Sequence, residues 1–191
     1  MLGTRIMLAN ADKVLHQQLM EILQRSGYVV VAEPADAKAA LQEALKYEPD
    51  VIVVDDNLPG GSLMFAGYIR EHNLAPVVLI TSYSEKDMME ISRVPGIFGI
   101  ITKPVHESYV LPVVEVAINA FNNILSLERE IKKYKQELEN RKLLERAKGL
   151  LMDRRSMSES EAFRYMQKIS MDKCIPITKV AKNIIVKLQK Q

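Results

Sequence analysis

Short apolar runs and helical periods alternate along the first 120 residues of the chain. The run VIVV is apolar without interruption, which is typical of a parallel strand that is buried on both faces. Between the runs, apolar residues recur at three- and four-residue spacing, as amphipathic helices require. The predicted strands cover 5–9, 28–33, 49–56, 76–82 and 96–102. The predicted helices cover 14–27, 37–47, 63–72, the polar stretch 85–93, and a last one from about Glu107.

The first of these helices illustrates the pattern. Leu15, Leu19, Ile22 and Leu23 share one face, and Gly27 stands where the helix should end. Five strands that alternate with such helices predict an α/β fold with a doubly wound, five-stranded parallel sheet. In sheets of this kind the working site lies beyond the carboxyl ends of the strands.

A longer helical pattern follows, from Val116 to about Leu151, with no proline and the single glycine Gly149. Apolar residues repeat every seven positions, with companions three residues later, as in a coiled coil. The first set is Ala117, Ile124, Ile131 and Leu138; the second is Ala120, Leu127, Tyr134 and Arg141. We predict a parallel homodimer held by Ile124, Leu127, Ile131, Tyr134 and Leu138. The alternative is a helix packed within one chain.

The last fifty residues predict a small three-helix bundle. One helix should begin at Ser158, with Glu161 three residues later to complete a capping box. Its expected core face is Ala162, Phe163, Met166 and Ile169. The next helix should start near Pro176. Its core-facing side should consist of Ile177, Val180, Ile184 and Leu188.

Composition narrows the class of protein. Apolar residues make up 48% of the 191 residues, enough for a packed core, and the lone Cys174 excludes an internal disulfide framework or a cysteine-based zinc site. The amino terminus reads as a strand rather than a signal peptide, and no uninterrupted apolar run reaches 18 residues. These features indicate a cytoplasmic protein without a membrane span.

Charge is divided unequally between the two parts of the chain. Residues 1–125 hold 9 Lys and Arg against 15 Asp and Glu, whereas residues 126–191 hold 17 against 9. The first part is therefore acidic and the second carries a net charge of +8. This asymmetry predicts two domains, of which the second meets a polyanion. The alternative is a solvated basic helical face.

Polar groups follow the predicted strands at their carboxyl ends. They are Asn10-Ala11-Asp12, Asp55-Asp56, Thr81-Ser82 and Lys103-Pro104. A carboxylate, a hydroxyl and an ammonium that meet at one sheet edge can serve a phosphoryl-accepting aspartate, with magnesium offsetting the charge. The alternative is a structural ion pair between Asp55 and Lys103.

These motifs, DDNLPG after VIVV, TS after VVLI and KP after GIIT, resemble the receiver domain of bacterial response regulators over residues 4 to about 122. The resemblance implies a flavodoxin-like sheet, with Asp55 as phosphoacceptor. It also implies that Thr81 and Lys103 contact the phosphoryl group and that the bond before Pro104 is cis.

Two departures from the receiver pattern affect the predicted switch. The first-strand turn carries Asn10 and Ala11 where the family has acids, and Ala11 has no side-chain oxygen for magnesium. The aromatic switch position holds Ile100. We therefore predict a degenerate receiver, phosphorylated weakly or not at all. The alternative is that Asp12, Asp55 or Asp56, and the carbonyl of Asn57 still bind Mg²⁺, so that a sensor kinase drives the switch.

The segments ERAKGLLM, SESEAF, ISMDK and ITKVAKNII resemble the ANTAR domain, an RNA-binding antitermination module, over residues 141 to about 188. The resemblance implies a dimer that binds paired hairpin loops of six bases in a nascent mRNA leader. Terminator formation is then prevented, and RNA polymerase, which is affected only indirectly, reads through.

The expected organisation is a receiver-like domain at 1–122, a coiled coil at 123–140 and an ANTAR domain at 141–191. The candidate RNA contacts are Arg141, Arg146, Lys148, Gly149, Ser170, Met171, Lys173 and Lys179. Tyr165 is a further candidate for base stacking. We do not expect an enzyme. A DNA-binding regulator with a helix-turn-helix is the alternative from another class, but the basic residues are spread over all three helices.

Overall fold

The computed structural model describes residues 3–82 and 89–189, which divide into two compact units, Met1–Ser126 and Leu127–Gln191. Most of the elements predicted from the sequence lie within these ranges. The predicted polar helix at 85–93 lies partly outside the described residues, since 83–88 are not among them.

The first unit is built on a parallel sheet of five strands in the order β2-β1-β3-β4-β5. All five predicted strands are confirmed. The strands are β1 Arg5–Ala9, β2 Val29–Ala32, β3 Val51–Asp55, β4 Val77–Thr81 and β5 Ile97–Thr102. The helices that follow them are α1 Lys13–Arg25, α2 Ala37–Tyr47, α3 Ser62–Glu71 and α4 Glu107–Arg155.

Two hydrophobic cores cover the two faces of this sheet, because successive strand residues point to opposite sides. Val51 and Val53 of β3 join the core that α1 and the start of α4 cover, while Ile52 and Val54 join the other. Every residue of β3 is buried, as its apolar run predicts. The sheet thus holds β3 at its centre and presents Asp55 at the carboxyl edge.

Helix α4 begins in the first unit and continues for 49 residues. Its first part packs in the core of the first unit through Val110, Val114, Ala117 and Phe121. The prediction that Ala117 belongs to the coiled-coil seam is therefore wrong, because this residue is fully buried within its own unit. From 126 to 139 every residue of the helix is exposed.

One stretch of α4 meets the length and composition criteria of a membrane span. Such a stretch is weak evidence for a membrane, because core helices of other proteins meet the same criteria. In this helix, Val110 and Val114 are buried in the first unit.

The second unit contains the end of α4 together with α5 Glu159–Asp172 and α6 Ile177–Gln189. Its core includes Ala147, Leu151, Ala162, Met166 and Val180, all almost fully buried. The predicted capping box at the start of α5 is present: the Ser158 hydroxyl accepts from the Glu161 N–H, and the Glu161 carboxylate accepts from the Ser158 N–H. The three-helix bundle is thus confirmed.

One expected core residue of this bundle lies on its surface. Phe163 is 43% exposed, whereas Met166, which lies one turn further along α5, is fully buried. The helical period explains the difference, because Phe163 is at the edge of the apolar stripe rather than at its centre.

Gly96 precedes β5 and packs closely against the backbone of α3. Its φ is +101°, and a Cβ there would lie 2.2 Å from the carbonyl oxygen of Ala66 in α3. We expect Gly96→Ala to destabilise the first unit by about 2 kcal/mol or more, from backbone strain and overpacking. The measurement is amide hydrogen exchange of β3 and β5, whose core amides report unfolding of this unit.

Gly67→Ala is the matched control for this substitution. Gly67 lies within α3 and has no atom within 4 Å of its Cβ position. Alanine should therefore leave exchange unchanged or slow it, by up to about 1 kcal/mol. Equal protection in both variants would contradict the close packing of Gly96 on α3.

Candidate functional site

The carboxyl edge of the sheet brings Asp55 and Lys103 together, as predicted from their positions after β3 and β5. Asp55 is only 3% exposed, and its Oδ2 lies 2.8 Å from Lys103 Nζ. The backbone N–H of Asn57 donates to Asp55 Oδ1 at 2.9 Å. Both oxygens of this buried carboxylate are therefore bonded within the chain.

Asp56 accepts a hydrogen bond from the Thr81 hydroxyl, the group that the resemblance to receivers expects to contact a phosphoryl group. Thr81 Oγ1 donates to Asp56 Oδ2 at 2.8 Å, and Asn57 Nδ2 donates to Oδ1 at 2.9 Å. Lys103 Nζ also lies 3.7 Å from Asp56 Oδ1. A phosphoryl group on Asp55 could bond Thr81 only if Asp56 released it.

The charge state of Asp56 follows from these contacts. Burial raises its pKa, but the hydrogen bonds that it accepts from Thr81 and from the backbone of Ser82, together with the Lys103 ammonium, favour the anion and lower the pKa. The pKa of Asp56 is consequently held below its usual value, and the side chain is an anion at neutral pH. From the sequence, Asp56 is expected only as a metal ligand, although the adjacent pair of acids at the strand end could have indicated that one of the two contacts Thr81.

The turn after β1 contributes little to a metal site. Asn10 is buried, Ala11 offers no side-chain oxygen, and Asp12 is the N-cap of α1, where its Oδ1 accepts from Val14 and Leu15 at 2.8 and 3.2 Å. Magnesium demands near-octahedral oxygen coordination, so this donor set does not fit a dedicated magnesium site. Within 3–82 and 89–189, no three Asp, Glu, His or Cys side chains form a metal-binding group.

The structure also shows two further positions that the resemblance to receivers singled out, Pro104 and Ile100. The Lys103–Pro104 bond is cis, as the resemblance implied. Ile100 packs against the core between the sheet and α3, so the position that carries an aromatic switch in receivers holds an aliphatic core contact here.

The middle of α4 displays the predicted seam. Ile124, Leu127, Ile131, Tyr134 and Leu138 are all exposed, with Ile131 at 52% and Tyr134 at 64%. These residues recur every three or four positions and therefore form one stripe along the helix. The stripe is a row of exposed, largely apolar side chains on a helix whose neighbouring positions are mostly charged.

In the second unit, Lys148 lies in an open groove with Ser158, Ser160 and Phe163. Its ammonium is 2.8 Å from Glu145 and 2.7 Å from Glu159. The hydrogen bonds to these carboxylates raise the pKa of Lys148, and the same interaction lowers the pKa of Glu159. A phosphate that binds Lys148 has to replace exposed carboxylates, which hold it only weakly.

The remaining candidate RNA contacts are spread over the unit. Arg141, Arg146, Met171, Lys173 and Lys179 are exposed. The Ser170 hydroxyl instead donates to the Ile175 carbonyl at 2.6 Å and so closes the turn between α5 and α6.

Gly149 lies beside Lys148 on α4, and nothing within 4 Å meets its Cβ position. Packing of the described residues of this chain thus gives no reason for a glycine in a helix, where it costs up to about 1 kcal/mol relative to alanine. The missing Cβ leaves the helix backbone here open to a close approach by another molecule.

Comparison with known proteins identifies both parts of the chain. Residues 6–115 match the response regulator receiver domain, and residues 132–185 match the ANTAR domain. The chain is similar to the transcriptional regulatory protein PdtaR of Mycobacterium tuberculosis, with 32% identity over 95% of this chain and 89% of that protein. It is also similar to the aliphatic amidase regulator of Pseudomonas aeruginosa, with 29% identity over 46% of this chain and 44% of that protein.

Solved structures agree on the fold of the first unit. The signal receiver domain of a modulated diguanylate cyclase from Desulfovibrio desulfuricans is 21% identical, with a TM-score of 0.58, over 63% of this chain and 97% of that one. A LuxR-family two-component response regulator from Aurantimonas sp. is 26% identical, with a TM-score of 0.57, over 62% and 86%.

Proposed function

The chain belongs to the response regulators that join a receiver domain to an ANTAR domain, and from this premise we propose that it is a cytoplasmic antitermination regulator. It binds hairpin loops in a nascent mRNA leader as a homodimer, and RNA polymerase responds only indirectly. It acts by binding rather than as an enzyme. The proposed domains are the receiver at 1–122, a coiled coil at 123–140 and the RNA-binding domain at 141–191.

The observation that carries the RNA proposal is the groove beside Lys148. It combines a cation that is paired with Glu159, the hydroxyls of Ser158 and Ser160, and the exposed ring of Phe163. Unpaired loop bases are recognised by stacking on aromatic side chains and by polar contacts, with cations on the phosphates. The net charge of +8 over residues 126–191 supports the same class of ligand.

The exposed seam on α4 supports the homodimer. An isolated helix draws little stability from propensity alone and is normally held by packing of its apolar face. A second copy of the same helix would cover Ile124, Leu127, Ile131, Tyr134 and Leu138 with identical residues, as in a two-stranded coiled coil.

The geometry at Asp56 supports a receiver that works without phosphorylation. Thr81 donates to Asp56, and in the first-strand turn Ala11 has no side-chain oxygen while Asp12 caps α1. The input is then a regulatory protein or ligand that binds the receiver.

Phosphorylation by a sensor kinase is the second candidate, because Asp55, Thr81 and Lys103 do meet at the sheet edge. This candidate differs from the first only in the signal that the receiver detects, which is phosphorylation instead of a bound protein or ligand. The RNA-binding function is the same in both.

The RNA proposal is tested with Lys148→Glu. We expect the full-length variant to lose roughly a hundredfold in affinity for a hairpin with a six-base loop, because a phosphate contact becomes a repulsion. The measurement is fluorescence anisotropy of a labelled hairpin. Lys142→Glu is the matched control, since Lys142 lies on the same helix and also pairs with a glutamate three residues earlier, Glu139. Equal affinity of the two variants for the hairpin would show that this groove does not bind RNA.

The dimer is tested with Ile131→Asp. Two carboxylates buried in the seam would cost several kcal/mol, so the variant should be a monomer by light scattering and should bind hairpins weakly. Lys133→Asp, about 200° around the helix from Ile131, should remain a dimer. A stable dimer of Ile131→Asp would rule out the coiled coil.

The input is tested with acetyl phosphate and magnesium. We expect no change in mass or RNA affinity on addition of the donor, and the same values for Asp55→Asn, because Asp56 already holds Thr81. A donor-dependent shift that Asp55→Asn abolishes would instead favour the kinase-driven alternative.

A further inference from the structure

A cleft of about 160 Å³ opens in the second unit among α4, α5 and α6, and Lys148 does not line it. Its apolar lining includes Leu151, Ile169 and Ile184, which belong to or pack against the core of the bundle. The lining is therefore positioned by the fold of the unit rather than by a mobile loop.

Three cationic side chains are among the residues that line this cleft. Arg155, Lys173 and Lys187 contribute to its lining, and the amide of Asn183 lies with them. None of the described residues that line the cleft carries a carboxylate. Three positive charges around an apolar site favour a ligand with an apolar body and an anionic group.

The cleft also contains a paired aromatic ring and guanidinium. The Arg155 guanidinium carbon lies 5.5 Å from the centroid of the Tyr165 ring, and Arg155 Nη1 donates to the Tyr165 hydroxyl at 3.2 Å. This contact holds the long Arg155 side chain in place before a ligand arrives. Guanidinium planes and tyrosine rings are the surfaces on which unstacked bases lie.

The volume limits the size of the ligand. Pockets that enclose a drug-sized molecule measure roughly 300–1,000 Å³, and this cleft is about half the lower bound. It therefore accepts one planar ring, with any attached phosphate outside among the lysines.

We propose that this cleft binds one unstacked base of an RNA loop together with its adjoining phosphate. The base inserts beside Arg155 and Tyr165, the Asn183 amide faces its edge, and Lys173 and Lys187 contact the phosphate. This inference rests on the proposed RNA function, but it adds a base-specific site separate from the Lys148 groove. Among the residues that line the cleft, only Lys173 and Tyr165 are RNA contacts predicted from the sequence.

The test uses the full-length protein and a hairpin whose loop bases are replaced one at a time by the fluorescent base 2-aminopurine. With the wild-type protein, we expect one loop position to change its emission on binding. The double variant Lys173→Gln/Lys187→Gln should lose that change and roughly tenfold or more in affinity. Its slope of log affinity against log salt should become shallower by about 0.7, since both lysines contact one phosphate and each single-strand phosphate contact contributes about 0.7.

A second variant and a matched control separate insertion from general charge. Asn183→Trp, at an exposed position, should block the cleft and abolish the emission change without removing any charge. Lys168→Gln/Lys182→Gln removes two exposed lysines that do not line the cleft and should retain the emission change. Circular dichroism checks that each variant is folded.

The outcomes distinguish this inference from the function on which it rests. If the wild-type protein binds the hairpin but the cleft variants match the control, the cleft inference is wrong and the RNA function stands. If the wild-type protein binds no hairpin, both are wrong. If free nucleoside monophosphates bind the cleft as tightly as the hairpin does, the ligand is a small nucleotide and the assignment to an RNA loop is overturned.

Discussion

The ion pair between Lys103 and Asp55 is the interaction on which the carboxyl edge of the receiver depends. Two adjacent carboxylates at the end of β3 would repel each other in a buried site, and the Lys103 ammonium offsets both, at 2.8 and 3.7 Å. Loss of Lys103 would be strongly destabilising, because the two adjacent carboxylates would be left uncompensated, whereas without Asp55 the Lys103 ammonium would keep Asp56 as a partner. Lys103 thus has a structural role here whether or not the receiver is ever phosphorylated.

The same pair explains how a receiver fold persists when its switch chemistry is altered. In the first unit, Thr81 and Lys103 already have an anionic partner in Asp56, so the edge is electrostatically complete without an added phosphoryl group. Asp12 stabilises the start of α1 instead of serving as one of a pair of acids. The sheet edge is therefore compatible with a receiver that is controlled by binding at its surface.

Much of the fold could be predicted from the sequence, because continuous apolar runs such as β3 and a capping box such as Ser158-Glu161 are local signals. The contacts of Asp56 could not be predicted from the sequence, because Asp55 and Asp56 are adjacent. Only the pairing of β3 with β4 decides which of the two carboxylates Thr81 contacts. Phe163 was misplaced because it borders the apolar stripe of α5. Ala117 fits the heptad but is buried by the receiver core, a tertiary contact that no spacing reports.

Helix α4 runs from the receiver domain into the ANTAR domain and carries the proposed dimer seam between them. In the proposed complex, one hairpin loop would contact only the side chains of the Lys148 groove and of the cleft beside Tyr165. Two copies of the chain tied together by the seam would hold the second binding site near the second loop, so that its binding would become effectively intramolecular. The exposed stripe from Ile124 to Leu138 would then set the affinity for paired loops without contacting RNA itself. Control of that seam, rather than of the basic surface, is the most direct way for a receiver to regulate the output.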